Sequence, residues 1–326
     1  MLRLPRQGFL PTLLELEMSN EIKIFCPATI ANLNCGFDVM GLCLEGIGDE
    51  MIIRKVTEKG IRITKIIGAD LPLETEKNVA GVAGLALLNA TKSDFGFEIE
   101  IHKKIKAGSG IGSSSASAAG AVFGINELLG RPFTKHELVY FAMKGEVVAS
   151  GSEHADNVAP CILGGFTLVR GYNPLDVIKI ESPSEIYAVV LHPHIEVKTS
   201  DSRAVLSPTV SLKSAITQWG NLGGLIAGLY TKDYELIGRS LNDVIVEPAR
   251  KHLIPNFDNV KNTALQSGAL GSGISGAGPS IFALCKGEAI ANTVAKKMSD
   301  AYANTQIAFD IHISKVNDEG TKTITN

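Results

Sequence analysis

Two hydrophobic periods run through the chain. Short apolar-rich runs predict strands over 21–25, 50–54, 61–66, 97–101, 186–191 and 280–284, with apolar and polar residues alternating over 97–101. Apolar residues three and four apart predict helices over 78–90, 114–129, 135–149, 212–229, 233–243 and 257–267. The third of these helices has a sharp start. Thr134 and Glu137 form a Thr-x-x-Glu capping box, each side chain satisfying an orphan amide of the first turn. Gly130 and Pro132 stop the helix before it. Pro174 and Pro183 bracket a polar connection, which sets the domain boundary between 18–178 and 179–326. The tail after Lys315 is polar and expected to be mobile.

Three glycine-rich segments punctuate this pattern. The central one, 105–120, follows the alternating strand 97–101 and opens a helix of small residues. Gly108, Gly110 and Gly112 let backbone amides approach an oxyanion closely, and the helix beginning near Ser113 adds unpaired N–H groups and the positive end of its dipole. Such a turn cradles phosphate, and a flexible linker is not clamped between a strand and a helix. Lys103, Lys104 and Lys106 form the tight basic cluster beside it, which reads either as a phosphate environment or as a solvated strand end. The first segment, 27–38, presents Asn32 and Asp38 as its polar side chains. The last, 268–279, contains Gly271, Gly273 and Gly276 in a literal Gly-x-Gly-x-x-Gly. That spacing is a decoy here, because dinucleotide binding needs strand, turn, helix and this order is helix, turn, strand. No Walker loop and no Gly-x-Ser-x-Gly elbow occurs.

Composition narrows the class. A chain of 326 residues with 45% hydrophobic and 20% charged residues can bury two cores. A net charge of −3 offers no basic stripe for nucleic acid. No apolar run is long enough to span a membrane. Five cysteines without Cys-x-x-Cys spacing suggest reduced thiols and a cytoplasmic protein. In residues 1–17, Pro11, Glu15 and Glu17 interrupt any secretory core, so this stretch reads as a non-catalytic extension. A chain beginning at Met18 is expected to keep full activity.

The three segments, with Glu153-His-Ala-Asp-Asn-Val-Ala-Pro160, resemble the motifs of the GHMP small-molecule kinases. Within that superfamily the chain is most similar to the branch that phosphorylates L-homoserine, and the resemblance spans about 22–313. It departs from the pattern at two backbone-shaping places. Lys106 stands where proline is usual, and Asn34 and Cys35 replace a Gly-Pro pair. Asn34 tolerates positive φ better than most residues.

That resemblance implies an α+β fold in two domains, a mixed-sheet N-terminal domain and a ferredoxin-like C-terminal domain. It implies ATP and Mg2+ as cofactors and L-homoserine as the small-molecule partner, whose phosphorylation leads toward threonine. A homodimer is common among relatives. By the same resemblance, ATP contacts fall on Lys106, Ala107, Gly108, Ser109, Gly110, Ile111, Gly112, Ser113, Ser114, Ser115 and Ala116, with Gly276 and Gly278 closing over them. Ser114 and Glu146 match the metal-side pair. Arg203 and Arg250 match the substrate arginines, whose guanidinium forks fit a carboxylate. Asn32, Asp38, His154 and Asn157 match contacts to the amino, carboxylate and hydroxyl groups, with Thr199 near the hydroxyl. Asn157, Asn32 and Arg203 are the candidate catalytic residues. Asn157 occupies a position where some relatives place an aspartate base, and it cannot take a proton. The resemblance then implies direct attack with the proton passing to a phosphate oxygen, since a loose transition state needs little early proton removal. Asp156 is the alternative base. Two other readings stand beside this one: a mevalonate-type or sugar kinase, and a non-catalytic ligand sensor.

Overall fold

In a computed structural model, residues 20–151 and 153–324 are described; the stretch 1–17 lies outside them. The first domain contains β1 (Glu21–Ala31), β2 (Met40–Val56), β3 (Ile61–Ile67), α1 (Val79–Asn89), β4 (Gly96–His102), α2 (Ser113–Leu128), α3 (Lys135–Ser150), α4 (Val158–Leu163), β5 (Phe166–Tyr172) and β6 (Leu175–Ile180). The second contains β7 (Ile186–Pro193), α5 (Thr199–Ala204), α6 (Leu212–Thr231), α7 (Tyr234–Ser240), α8 (Val246–Arg250), α9 (Phe257–Gln266), β8 (Gly271–Ile274), β9 (Ile281–Lys286), α10 (Glu288–Ala303) and β10 (Phe309–Lys315). A last short strand, β11 (Lys322–Thr323), returns to the first sheet beside β1.

The first sheet is mixed: β3 and β4 run parallel, and the other pairs are antiparallel. The second sheet is antiparallel with order β10-β7-β9-β8. With helices joining β7 to β8 and β9 to β10, that is the ferredoxin-like arrangement.

Helix α2 explains its own composition. It is buried over most of its length between β1, β2, α1 and α3, so Ala116, Ala118, Ala119, Gly120 and Ala121 are as large as the space permits. Its Gly112 N-cap has φ 74°, a left-handed turn that aims the first amides of the helix out of the sheet. The capping box at Thr134 is formed, with Thr134 N–H donating to Glu137 Oε2 at 2.8 Å and Glu137 N–H to Thr134 Oγ1 at 3.3 Å.

Two expectations need correction. The stretch between Pro174 and Pro183 is not a loose connection, because residues 175–180 form β6 against β5. Through residue 324 the tail after Lys315 is bonded to the first domain. Val316 bridges Leu44, Asn317 C=O accepts from Gly165 N–H at 2.7 Å, and the fully buried Thr321 donates its N–H to Cys161 C=O at 2.7 Å. A polar sequence is held in place here by backbone pairing, which periodicity does not report.

Candidate active site

A cleft of about 600 Å³ opens between the two domains at the N-terminus of α2. The three glycine-rich segments meet there and are bonded to one another. Asn32 Nδ2 donates to Gly276 C=O at 2.7 Å, and Asn32 Oδ1 accepts from Asp38 N–H at 3.0 Å. Ser275 Oγ donates to Gly110 C=O at 2.7 Å, and Ser280 Oγ to Ser109 C=O at 2.6 Å. Gly110 is required by this contact: a Cβ there would lie 2.5 Å from Gly278 C=O oxygen. In the first segment Asn32, Leu33, Asn34 and Asp38 all have positive φ, at 74°, 42°, 60° and 59°. Asparagine and aspartate accept that backbone readily, whereas Leu33 is held in it by complete burial. Asn34, the departure from Gly-Pro, donates instead to Leu241 C=O at 2.7 Å and Ser272 C=O at 3.1 Å, tying the segment to the second domain.

At the phosphate end, Gly108, Gly110 and Gly112 have φ of 71°, 79° and 74°. Ser114 and Ser115 hydroxyls donate to the two oxygens of Glu146, each at 3.1 Å. Burial pushes the Glu146 carboxyl up to about 7, against the lowering effect of those serines and of Lys103. The basic cluster divides. Lys103 is buried at the cleft wall, paired with Asp49 and donating to Ser113 C=O at 2.8 Å. Asp49 in turn accepts from Lys104 and Ile105 N–H at 2.7 and 2.9 Å, fixing the entry to the loop. Lys104 pairs outward with Glu50.

Four residues expected to contact ATP do not line the cleft: Lys106, Ile111, Ser115 and Ala116. Ser115 and Ala116 face the core as α2 winds, and Ile111 is buried with them. Lys106 points to the second sheet, 2.9 Å from His194 Nε2 and 3.5 Å from Asp310 Oδ2. Ala107, Gly108, Ser109, Gly110, Gly112, Ser113, Ser114, Gly276 and Gly278 do line it.

At the other end, Arg203 from α5 donates both terminal nitrogens to Asp38, at 2.8 and 3.1 Å. Arg250, at the end of α8 and 3% exposed, donates Nε to Ser202 C=O at 2.8 Å. Burial, then the neighbouring Arg203, lowers its pKa to about 10. The Phe37 ring lies 4.9 Å from the Arg250 guanidinium carbon and 5.6 Å from that of Arg203. His154 is held below its ordinary pKa by burial and by Arg203. Asn157 Oδ1 accepts from Thr29 Oγ1 at 2.7 Å. Thr199 and His154 complete this wall.

Two hydroxyl groups beside the cleft, those of Thr29 and Tyr172, were not legible in the sequence, whereas Asp156 was already the alternative base. Thr29 lies on β1, and its hydroxyl is placed only by the fold. Tyr172, at the end of β5, donates to Asp38 C=O at 3.2 Å and accepts from Ala155 N–H at 3.4 Å, bracing two substrate segments. Asp156 lines the cleft together with Asn157, and burial, reinforced by Asp38, pushes its carboxyl up to about 7. Leu71, Pro72, Val79, Ile101 and Val148 give the phosphate end an apolar extension of the kind a base would fill.

A Gly-rich helix N-terminus facing two arginines across one cleft defines a small-molecule kinase site. The GHMP kinases N terminal domain profile matches residues 77–165, and the GHMP kinases C terminal profile matches residues 225–304. The chain belongs to the GHMP kinase family, in its homoserine kinase branch. It is 47% identical to a homoserine kinase of Chlorobium phaeobacteroides over 92% of this chain and 98% of that one. With a homoserine kinase of Chloroherpeton thalassium the identity is 46%, over 91% and 98%. The crystal structure of a homoserine kinase from Cytophaga hutchinsonii superposes with a TM-score of 0.91 at 48% identity, over 99% of this chain and all of that one. A mevalonate kinase from L. major shares the fold, with a TM-score of 0.69 at 16% identity.

Proposed function

We propose that this chain transfers the γ-phosphate of ATP to the hydroxyl of L-homoserine, giving O-phospho-L-homoserine and ADP on the way to threonine. The observation that carries this reading is a single cleft with a backbone phosphate cradle at one end and two guanidinium groups at the other. Ser114 and Glu146 would hold Mg2+. The fit is chemical: hydroxyl and carboxylate oxygens suit a hard cation, and a carboxylate made costly by burial gains a counter-charge. When bound, the ion neutralises phosphate charge.

The chain's own groups do the rest. The amides of Gly110, Gly112 and Ser113 orient the phosphates along the dipole of α2. Arg203 and Arg250 take the acceptor carboxylate, and Asp38 and Asn32 take its ammonium group. Thr29 fixes Asn157 so that the amide positions the acceptor hydroxyl. The hydroxyl oxygen bonds to the γ-phosphorus as the bridging oxygen leaves with ADP, and the hydroxyl proton passes to a phosphate oxygen. A second reading gives that proton to Asp156, because this residue lines the same cleft beside Asn157 and burial pushes its carboxyl up to about 7.

The activity belongs in the cytoplasm. All five cysteines are buried and unpaired, and among the described residues no helix is long and apolar enough to cross a membrane. ADP release measured with L-homoserine, mevalonate, galactose, L-serine and no acceptor tests the assignment. Turnover with homoserine well above the others is expected, and in Arg203→Ala it should need far more homoserine. Turnover with another acceptor moves the substrate assignment, and ATP binding without any turnover makes the protein a sensor.

A further inference from the structure

We propose that Glu247 is a positioning residue for the acceptor end, holding the first segment against the second domain through a proton it donates to Asn34 Oδ1. The kinetic consequence rests on the homoserine reading of the cleft; the contact itself does not depend on the acceptor. Asn34 is 3% exposed, and its amide cannot turn round, because Nδ2 is spent on the Leu241 and Ser272 carbonyls. Oδ1 must then point the other way. There it has no hydrogen-bond partner among the described residues, and neither has the buried Oε2 of Glu247. Both oxygens reach the place where β8 lacks a side chain. A Cβ on Gly273 would lie 1.7 Å from Asn34 Oδ1 and 3.1 Å from Glu247 Oε2. The two residues also line one cavity of about 10 Å³, too small for an organic ligand.

Two buried acceptors turned to one place need a hydrogen between them. The neighbouring groups are committed elsewhere. Lys261 from α9 pairs with the other carboxyl oxygen, Glu247 Oε1, and Arg250 donates to the Ser202 and Gly276 carbonyls at 2.8 and 3.3 Å. Asp243 accepts from Gln218 Nε2 and from the N–H groups of Ile245, Val246 and Glu247. The hydrogen that remains is the carboxyl's own. Burial raises the Glu247 pKa; Lys261 opposes this, and Asp243 and Asp258 add to it. The contact is therefore closed at acid pH and opens as pH rises. It joins two parts of the acceptor end. Asn34 lies two residues after Asn32, and Glu247 lies three before Arg250 on α8. Asn32 and Arg250 already meet on one carbonyl, that of Gly276. Parting Asn34 from Glu247 lets the acceptor loop move away from an arginine that takes the carboxylate.

The KM for homoserine from about pH 5 to 9, wild type against Glu247→Gln, tests this. Lys261 favours the oxygen of the new amide and turns its nitrogen toward Asn34, so the variant keeps a hydrogen there at every pH. Ionisation of the substrate cancels in the ratio of the two KM values. That ratio is expected to rise with pH by roughly three- to tenfold, the worth of one hydrogen bond, with kcat and the KM for ATP unchanged. Asn34→Gly accepts the φ of 60° and deletes the amide, and in that background the rise should vanish. Infrared spectra at the acid end give a reading free of turnover: a protonated-carboxyl C=O stretch of the wild type should be missing from Glu247→Gln. A ratio that stays constant with pH would overturn the proposal, as would a rise that persists in the Asn34→Gly background, or the absence of that band. Failure of homoserine turnover overturns the acceptor assignment instead, and the band then decides the contact.

Discussion

The two ends of the cleft are built by different means. The phosphate end is mostly backbone: three glycines and a helix N-terminus within residues 108–114, with the Ser114 hydroxyl beside them. The acceptor end is side chains brought from Asp38, His154, Asn157, Arg203 and Arg250, spread over both domains. A backbone site depends on the shape of one turn. A side-chain site depends on charge balance across distant elements, and here Asp38 and Arg203 hold each other. Each end should therefore fail in its own way. Shape changes should cost nucleotide binding, and charge changes should cost the acceptor.

The largest effect should come from removing a charge at the acceptor end. Arg203→Ala leaves Asp38 without its bidentate partner and the substrate carboxylate with one arginine instead of two. Truncating one member of such a pair costs about 2–5 kcal/mol, so kcat/KM for homoserine should fall by roughly 30- to 5,000-fold, mostly through KM. ATP affinity, measured by calorimetry without acceptor, should be unchanged. An equal loss in both would mean the two ends are not separable.

The converse is Gly110→Ala. Its Cβ would enter the contact with Gly278, and its φ of 79° is unfavourable for alanine. The third segment must then move off the phosphate loop, and ATP binding should weaken at least about tenfold, a loss of ~1.4 kcal/mol or more. Homoserine binding, followed by saturation-transfer NMR, should be retained.

A third substitution tests the same division through pH. The Asp156 carboxyl has a folded-state value of about 7 against an ordinary value of 3.8, so folding favours its protonated form. The stability this group contributes is therefore full at acid pH, is lost as pH rises from about 4 to about 7, and stays lost above that. Asp156→Asn should accordingly unfold at higher denaturant at pH 8, by up to ~4 kcal/mol, and match the wild type near pH 4. The same variant separates the two proton-transfer readings. If kcat is retained and its acid limb unmoved, the proton goes to phosphate; if kcat collapses while homoserine binding remains, Asp156 is the base.

This division also accounts for what the sequence could and could not disclose. The phosphate loop was legible because a strand, three glycines and a small-residue helix are contiguous, and their chemistry is that of the backbone. The acceptor end is a juxtaposition across residues 29–250, and only resemblance to a family located Arg203, Arg250 and His154. Thr29 and Tyr172 carried no signal, because a hydroxyl is placed by tertiary contact alone. Elements were missed for equally physical reasons. Helix α10 has apolar residues at 291, 294, 295, 298 and 301, but three of the five are alanine and the stripe is faint. Strand β8 reads as a loop because Asn34 and Leu241 fill the room its side chains would need, leaving Gly271 and Gly273.

Lys106 ties the phosphate loop to the second domain through its side chain, and it gives the smallest expected effect. Its ammonium leaves the loop for His194 and Asp310 on the second sheet, so it acts on the loop's position. Asp310 is held below its usual carboxylate range by the His194 hydrogen bond and then by Lys106. Lys106 and Asp310 side chains are 55% and 44% exposed, and ion pairs of that kind contribute about 0–1 kcal/mol. Asp310→Asn should therefore raise the KM for ATP by no more than about fivefold, leaving kcat and the KM for homoserine unchanged. Because the pair is solvated, the difference from wild type should shrink as salt rises toward ~1 M, where charges are screened over about 3 Å. Arg203→Ala should keep most of its defect under the same salt. A salt-insensitive effect of Asp310→Asn would mean that the contact is shape, and that this corner belongs with the backbone end of the cleft.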